Sequence, residues 1–588
     1  STSFLPPKTP ALFRQARAFL GAKMKSNRGT LRVAATIAAL FYAGVTGTAM
    51  AQTPADPSRI DERFRPRPDA PGLGTPLDVP ATPDQKAPEG AEQQQFQISG
   101  VIFEGNQTLP EGRLQELASD YVNRDITLAD VYELAGRATA AYRDAGYILT
   151  RAIVPAQRIG DGQLRIQVVE GFIENVEIEG DAGGAMPFLQ SHARRIAAAK
   201  PLTADVLERE LLLASDMAGF TVRSVLTPSK TTPGAADLTL VVEREAFEGY
   251  AGIDNFGSRY LGREEIVGAV FANDLFGTAG RVGFTGVVTP DGDPELAYGA
   301  LSIQQPLTST GLTLFASYSY SETRPGLELE TIETEGEAKT ARVELSYPFI
   351  RSRDLNVIGT LGFFSNDVRS ENNAVNPVFD DKVRNVNAKV FANLLDSWGG
   401  FNTGEITFTQ GITALGGSEN GDANLSRVNA DSDYQRLNFE VTRWQPIGGE
   451  FGLLLGAAGQ TSFNEDLLAS EEQGFGSTFY GRAFDPSEIT GEKGLAGKAE
   501  LQWYTPHQAD FMQNTQLYGF YEAATVEQVT VLPGSPRRET IESAGVGVRT
   551  ALFDQVNLDL YVAKPFEKTV QAERDRDARV FFQISSSF

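Results

Sequence analysis

From residue 247 to 588 the chain is a succession of short segments in which apolar and polar residues alternate, a pattern that excludes most folds. Leu312, Leu314, Ala316, Tyr318 and Tyr320 alternate with Thr313, Ser317 and Ser319, and Val556, Leu558, Leu560 and Val562 alternate with Asn557, Asp559 and Tyr561. Strand side chains point to opposite faces in turn, so each segment has one apolar and one polar face. Counting the segments gives about sixteen, an even number suited to antiparallel closure. Short turns near 307–310, 351–353, 398–402, 447–450 and 553–555 intersperse with long polar loops near 322–337, 368–382, 413–433, 463–494 and 526–540. Short periplasmic turns and long external loops are the asymmetry of an outer-membrane β-barrel. The last segment puts Val580, Phe582, Ile584 and Phe588 on one face, interrupted by Ser586, and Arg579, Gln583, Ser585 and Ser587 on the other. Such a strand closes a barrel so that no backbone edge faces lipid, and its four apolar residues read as a membrane-insertion signal.

The first 51 residues read as an upstream extension followed by an export signal. Met24 opens a basic stretch with Lys25, Arg28 and Arg32; an apolar run follows to Val45, and Ala49-Met50-Ala51 supplies the small residues of a cleavage site at Ala49 and Ala51. The apolar run is too short to span a bilayer as a helix, and no later run of about eighteen apolar residues exists. Cysteine is absent, which excludes disulfides and thiolate metal sites, and His192 and His507 are too few for a histidine cluster. Residues 1–51 hold seven basic and no acidic residues, so removing them takes the net charge from −24 to −24 − 7 = −31. A chain so acidic is a poor nucleic-acid binder.

Residues 52–95 are rich in Pro, Gly, Gln and charge and read as a linker that can carry a short helix near 58–65; whether that helix enters the barrel as a plug is left open by the sequence. From 96 to 245 the chain repeats itself. Val101-Ile-Phe-Glu-Gly105 returns as Val176-Glu-Ile-Glu-Gly180, Ala145-Gly146-Tyr147 as Ala218-Gly219-Phe220, and Leu164-Arg-Ile-Gln-Val-Val-Glu170 as Leu238-Thr-Leu-Val-Val-Glu243. Three matches in one order at nearly one offset make a structural repeat. Thr127 and Thr203 stand as helix N-caps ahead of apolar faces, Leu128, Val131, Leu134, Ala138 and Tyr142 in one copy and Val206, Leu207 and Leu211 in the other. Each unit, 96–171 and 172–245, reads strand-helix-helix-strand-strand, and 246–588 reads as the barrel.

Two motifs in the barrel carry charge. The loop 463–494 contains Gly481-Arg482-Ala483-Phe484 and, further on, Gly491-Glu492-Lys493-Gly494; a later strand contains Phe520-Tyr521-Glu522-Ala523-Ala524. With the two repeats and the sixteen segments, these resemble the two-partner secretion transporters of the haemolysin activator/secretion family, a branch of the outer-membrane assembly superfamily. The resemblance covers 96–588. It implies an α+β periplasmic part of two polypeptide-transport-associated (POTRA) domains and an all-β part, a 16-stranded antiparallel transmembrane barrel. In that family the loop carries Arg-Gly-aromatic and then Gly-acidic-x-Gly; Arg482, Phe484, Gly491, Glu492 and Gly494 match, and Ala483 replaces the usual glycine. The lumen-facing family motif Phe-x-Asp-x-Gly corresponds to Phe520, Glu522 and Ala524, with the carboxylate on a longer stem and alanine in place of glycine. A guanidinium withdrawn from bulk water needs a carboxylate, so Arg482 and Glu522 are expected to form a loop lock.

The expected function is an outer-membrane transporter that captures a partner exoprotein in the periplasm through its POTRA domains and passes it to the cell surface. Outer-membrane lipids, and the barrel-assembly machinery during insertion, are the other expected partners. An assembly factor for other barrels, or a diffusion porin, is the alternative; relatives of the first kind usually carry three or more POTRA units, and a porin has no use for any. No reaction, cofactor, metal, nucleotide or nucleic acid is expected. No Gly-x-x-x-x-Gly-Lys-Ser/Thr loop appears, and neither does a Gly-x-Ser-x-Gly elbow.

Overall fold

The computed structural model describes residues 55–67 and 85–588 apart from 160, 291, 507–510, 532–533 and 554. The expected cleavage site at Ala49 and Ala51 lies outside the described residues. A short 3-10 turn, Pro57–Arg59, runs into helix α1 (Ile60–Phe64). Two α/β units follow. In the first, strand Gly100–Glu104 pairs parallel with Gln163–Val169, which pairs antiparallel with Arg151–Ile153. Helices α2 (Glu111–Ala118) and α3 (Leu128–Asp144) cover one face, burying Leu114, Leu134, Ala138 and Tyr142 against Val101 and Ile166. A reciprocal cap starts α3: the Asp130 N–H donates to Thr127 Oγ1 (3.2 Å), and the Thr127 N–H donates to Asp130 Oδ2 (2.6 Å).

The second unit repeats this plan with Phe172–Gly180, α4 (Met186–Ala198), α5 (Ala204–Ser215), Phe220–Pro228 and Ala235–Arg244, in sheet order first-third-second. The repeated glycine has one cause in both copies. Gly105 and Gly180 leave the sheet at φ of 88° and 93°, where a Cβ would also lie 2.5 and 2.2 Å from the Val168 and Val242 carbonyl oxygens. One element departs from the expected plan: Gln95–Gln97 pairs with Asp125–Thr127 in a separate two-stranded ribbon, too short for alternation to signal.

Sixteen strands then close into an antiparallel barrel. They are β1 (Phe247–Asp254), β2 (Glu265–Asn273), β3 (Arg281–Val288), β4 (Leu296–Pro306), β5 (Thr313–Thr323), β6 (Glu335–Arg351), β7 (Leu355–Glu371) and β8 (Phe379–Leu395). The second half comprises β9 (Phe401–Gly411), β10 (Gln435–Gly448), β11 (Phe451–Thr461), β12 (Lys493–Tyr504), β13 (Met512–Glu527), β14 (Arg538–Leu552), β15 (Val556–Pro565) and β16 (Arg579–Ser587). Three loops are shorter than the sequence reading made them: those placed at 322–337, 368–382 and 526–540 shrink to 324–334, 372–378 and 528–537. Beyond the lipid a strand needs no apolar face, so Glu335, Glu337, Asp380 and Lys382 continue the ladder although they read as loop. The turn placed at 398–402 lies at 396–400.

Val580 and Phe588 are exposed on the outer surface, whereas Phe581 and Ser585 are buried inside. Phe588 follows the end of β16 and exchanges two backbone hydrogen bonds with Gly249, at 2.7 and 3.0 Å. The β16–β1 ladder, 583–587 against 250–254, is the shortest among the described barrel strands. Asn255 lengthens it with a side chain that imitates a peptide: Nδ2 donates to the Val580 carbonyl (3.0 Å), and Oδ1 accepts the Phe582 N–H (2.8 Å).

The second α/β unit sits against the turns at one end of the barrel. Arg195 donates to Ser309 O (2.8 Å), Arg351 to Asp216 Oδ1 (2.7 Å), and Arg353 to Glu208 Oε2 (2.7 Å). Behind Arg195, Glu210 accepts from Arg195 Nε and bonds His192 Nδ1, each at 2.7 Å. Burial alone would push the Glu210 carboxyl up, but the hydrogen bonds from His192 and Arg195 outweigh it and hold it below the usual carboxylate range.

Candidate functional site in the barrel lumen

The connection between β11 and β12 folds back into the barrel instead of standing in solvent. Its hairpin, Gln473–Phe475 against Ile489–Gly491, packs Phe475, Tyr480, Ala483, Phe484 and Ile489 onto the inner wall formed by Tyr518, Phe520, Ala524, Ile541, Tyr561 and Phe581. Burying these apolar side chains stabilises the inward position; the wall residues are inward-facing members of alternating strands, so the surface they make exists before the loop arrives.

At the turn of the hairpin, Tyr480 and Gly481 adopt φ of 122° and 121°, a conformation that costs about 1–3 kcal/mol for the tyrosine. Glu522 on β13 holds this turn with both carboxylate oxygens. Oε2 accepts the N–H groups of Gly481 (2.8 Å) and Arg482 (2.9 Å), while Oε1 accepts Arg482 Nε (2.7 Å). The Arg482 guanidinium lies 3.5 Å from the centroid of the Phe520 ring and donates through Nη1 to Glu500 Oε2 on β12 (2.7 Å). Glu500 in turn accepts Arg549 Nη1 (2.6 Å), and Arg549 Nε donates to Asp559 Oδ2 (3.1 Å). Glu522, Arg482, Glu500, Arg549 and Asp559 thus form one chain of alternating charge along the wall. Arg482, Glu500 and Glu522 are buried, so each charge depends on its neighbours.

The other motif residues have separate duties. Ala483 is fully buried and its φ is not in the left-handed region, so this position does not need the conformational freedom of glycine. Its carbonyl accepts Arg579 Nη1 from β16 (3.0 Å), and Arg579 Nη2 binds Asp485 (2.6 Å). Glu492 accepts the Val529 N–H (3.0 Å) and pairs with Arg427 of the external 412–434 loop, which also donates to Glu472 (2.6 Å). Gly494 lies under the hairpin, where a Cβ would come within 2.7 Å of Gln473 and 2.9 Å of Phe475. Phe520, Glu522 and Ala524 share the inner face of β13, as alternation requires. Val580, Phe582 and Ile584 lie on the outer face of β16, remote from the lock.

The segment 55–67 occupies the same lumen. Asp61 accepts from Tyr298 OH on β4 (3.2 Å), Ser319 Oγ on β5 (2.6 Å) and Arg342 Nη2 on β6 (3.1 Å). Arg63 donates to Glu265 on β2 (2.7 Å), and Arg59 donates to the carbonyls of Ala469 (2.8 Å) and Glu472 (3.0 Å) in the inward-folded loop. Helix and loop are therefore joined to each other as well as to the wall. Sequence reasoning missed Glu500, Arg549, Asp559, Arg427 and the plug contacts. Alternation puts Glu500 and Asp559 on inner faces, but nothing separates them from the other lumen acids until the strands are in register.

Residues 96–171 match the family model "POTRA domain, ShlB-type", and residues 234–567 match "Haemolysin secretion/activation protein ShlB/FhaC/HecB". Among curated proteins the chain is similar to the heme/hemopexin transporter protein HuxB of Haemophilus influenzae (strain 86-028NP), 19% identical over 80% of this chain and 83% of the relative. It is also similar to the outer membrane transporter CdiB of Dickeya dadantii, 23% identical over 69% and 72%. Among solved structures, CdiB from Escherichia coli superposes with a TM-score of 0.68 at 19% identity, covering 92% of this chain and 98% of that one. BamA from Haemophilus ducreyi gives 0.51 at 14% identity over 84% and 100%.

Proposed function

The chain belongs to the haemolysin secretion/activation protein ShlB/FhaC/HecB family, and from that membership we propose how an outer-membrane two-partner secretion transporter is held shut and opened in this case. The protein resides in the outer membrane with its POTRA domains in the periplasm, and it moves a partner exoprotein to the cell surface. We divide the chain functionally at 96–171, 172–245 and 246–588: two capture units and a conduit. The capture units take up the extended partner by strand addition or in a groove, because β-augmentation binds backbone independently of sequence. No reaction is assigned to the protein, and outer-membrane lipids and the barrel-assembly machinery are its remaining partners.

In the resting state the lumen is occupied twice, by the 55–67 segment and by the inward loop. Arg482 holds the loop through Glu522 and Glu500, and Arg59 ties the plug to the same loop. An arriving chain must displace both, and the joint between them makes the displacements depend on each other. The single observation that carries this reading is the buried Arg482 guanidinium shared between carboxylates of two adjacent strands.

A deletion strain tests the transport function by comparing secretome and outer-membrane fractions with the parent. Loss of one large secreted protein is expected; broad loss of outer-membrane barrels would instead indicate an assembly factor, and an unchanged secretome would leave a diffusion porin. Deleting either POTRA unit in the chromosomal copy should abolish secretion while leaving a heat-modifiable barrel, and full secretion from the barrel alone would remove substrate capture from these units.

A further inference from the structure

The outer wall of β8–β11 carries an open groove of about 490 Å³. Register shows which face it opens on. Ala392, Gly404, Val441 and Ala457 are directly opposite one another on the four strands, and so are Leu394, Asn402, Arg443 and Leu455. Both rows share the outward face with the exposed Val390 and Ile406. The residues between the rows contribute backbone, so the groove faces lipid. Leu394 and Leu455 form walls, and the Ala392–Gly404–Val441–Ala457 row is the floor.

Gly404 creates the depression without a structural need for glycine. A Cβ built there meets nothing closer than Val441 Cγ1 at 3.7 Å, and its φ is not in the left-handed region. The space is thus an unfilled side-chain volume on a surface that otherwise presents Val, Ile and Leu.

One end of the groove is polar. Asp396, in the turn just beyond β8, pairs with Arg443, whose Nη1 also donates to Asn402 Oδ1 (2.6 Å). Trp398 in the same turn is 80% exposed with Arg443 5.8 Å from its ring centroid, and Phe451 stacks on Trp503 nearby. Exposed aromatics at the end of a transmembrane wall mark the headgroup level. This is the POTRA end of the barrel: the Leu395 N–H donates to the Asp354 carbonyl, in the turn whose Arg353 binds Glu208. The groove therefore runs from the periplasmic headgroup level about two strand residues, roughly 7 Å, into the hydrocarbon.

We infer that this groove is a binding site for a zwitterionic phospholipid of the periplasmic leaflet, phosphatidylethanolamine in kind. Its acyl chain lies over Gly404 between Leu394 and Leu455, its phosphate meets Arg443 and its ammonium meets Asp396. The charge pair at the rim is the complement of that headgroup; an anionic headgroup satisfies Arg443 but brings no ammonium of its own to the Asp396 carboxylate. The inference rests on the membrane placement of the barrel and not on what passes through it, so the secretome experiment and the following one fail independently.

Native mass spectrometry of the full-length protein in detergent, with added dioleoyl phosphatidylethanolamine or dioleoyl phosphatidylglycerol, reads the site directly. One phosphatidylethanolamine should survive activation that strips the remaining lipid, with phosphatidylglycerol retained about threefold less, the scale of one exposed ionic contact. Gly404→Leu should lose the retained lipid while keeping heat-modifiable migration, and Asp396→Asn should keep lipid but lose the preference. If Gly404→Leu fails to insert, Ala392→Leu fills the same floor from the adjoining position. Undiminished retention in a folded groove-filling variant, or equal retention of the two lipids by the unaltered protein, would overturn the proposal.

Discussion

Removing the Arg482 guanidinium should loosen the inward loop more than neutralising Glu522 does. Arg482 makes two charge-assisted hydrogen bonds, to Glu522 Oε1 and Glu500 Oε2, both at 2.7 Å, and sits 3.5 Å over the Phe520 ring. Each such bond contributes about 1.5–3 kcal/mol, and a desolvated cation over a ring about 2 kcal/mol. The losses do not add in full, because each carboxylate keeps other donors. Glu522 retains the Gly481 and residue-482 N–H groups, and Glu500 retains Arg549 and Gln502. A net cost of about 3 kcal/mol to loop docking is expected for Arg482→Ala, at the low end for breaking a buried pair, and this is roughly a hundredfold shift toward the undocked loop. Glu522→Gln preserves an acceptor for the turn and leaves Arg482 its bond to Glu500, so its cost should be about half as large. The double variant should resemble Arg482→Ala alone, since both changes act on one interaction. Planar-bilayer conductance, protease access to 463–492 and secretion measured on the three variants decide this. Additive losses, or an Arg482→Ala loop as protected as the unaltered one, would refute the lock.

Asp61→Ala should raise basal conductance while leaving insertion intact, because three wall donors on β4–β6 lose their common acceptor; unchanged conductance would show that the plug is held elsewhere. Phe582→Asp or Ile584→Asp should impair insertion, a lipid-facing acid costing somewhat less than the about 2–4 kcal/mol of a mid-membrane lysine or arginine; normal heat-modifiable migration would contradict this. The Glu210 carboxyl is held below its ordinary range in the folded protein, so the stability it contributes is complete above the unfolded carboxylate pKa, about 4.3, and is lost as pH falls through the folded value. Amide exchange across 186–215 in the full-length protein should accelerate on acidification through that interval, and Glu210→Gln should flatten the dependence.

The periodicity that made the barrel legible also blurred its edges. Where a strand leaves the membrane its apolar face ends, but its ladder does not, so Glu335 and Lys382 read as loop although they are paired strand. The two α/β units were readable because Thr127 and Thr203 are local helix caps and Gly105 and Gly180 local backbone exits, each recorded within a few residues of sequence. The charged site was readable only in part. Arg482 and Glu522 stand in family-like motifs, whereas Glu500, Arg549 and Asp559 become partners through the register and curvature of β12–β15. Asp61 and Arg59 sit in a segment whose composition signals a linker; their hydrogen-bond partners on the wall and the inward loop are set by the lumen.

Sixteen strands joined edge to edge, with Asn255 extending the final seam, fix the circumference of the pore. A hydrogen-bonded hoop widens only by breaking a whole ladder, so on the proposed function transport would proceed by emptying the lumen and not by stretching it. On the same reading, the exported protein would cross before it folds, and condensation of its leading part outside would close the step back. Direction would then come from the cargo's own folding free energy, with the barrel serving as a one-way aperture.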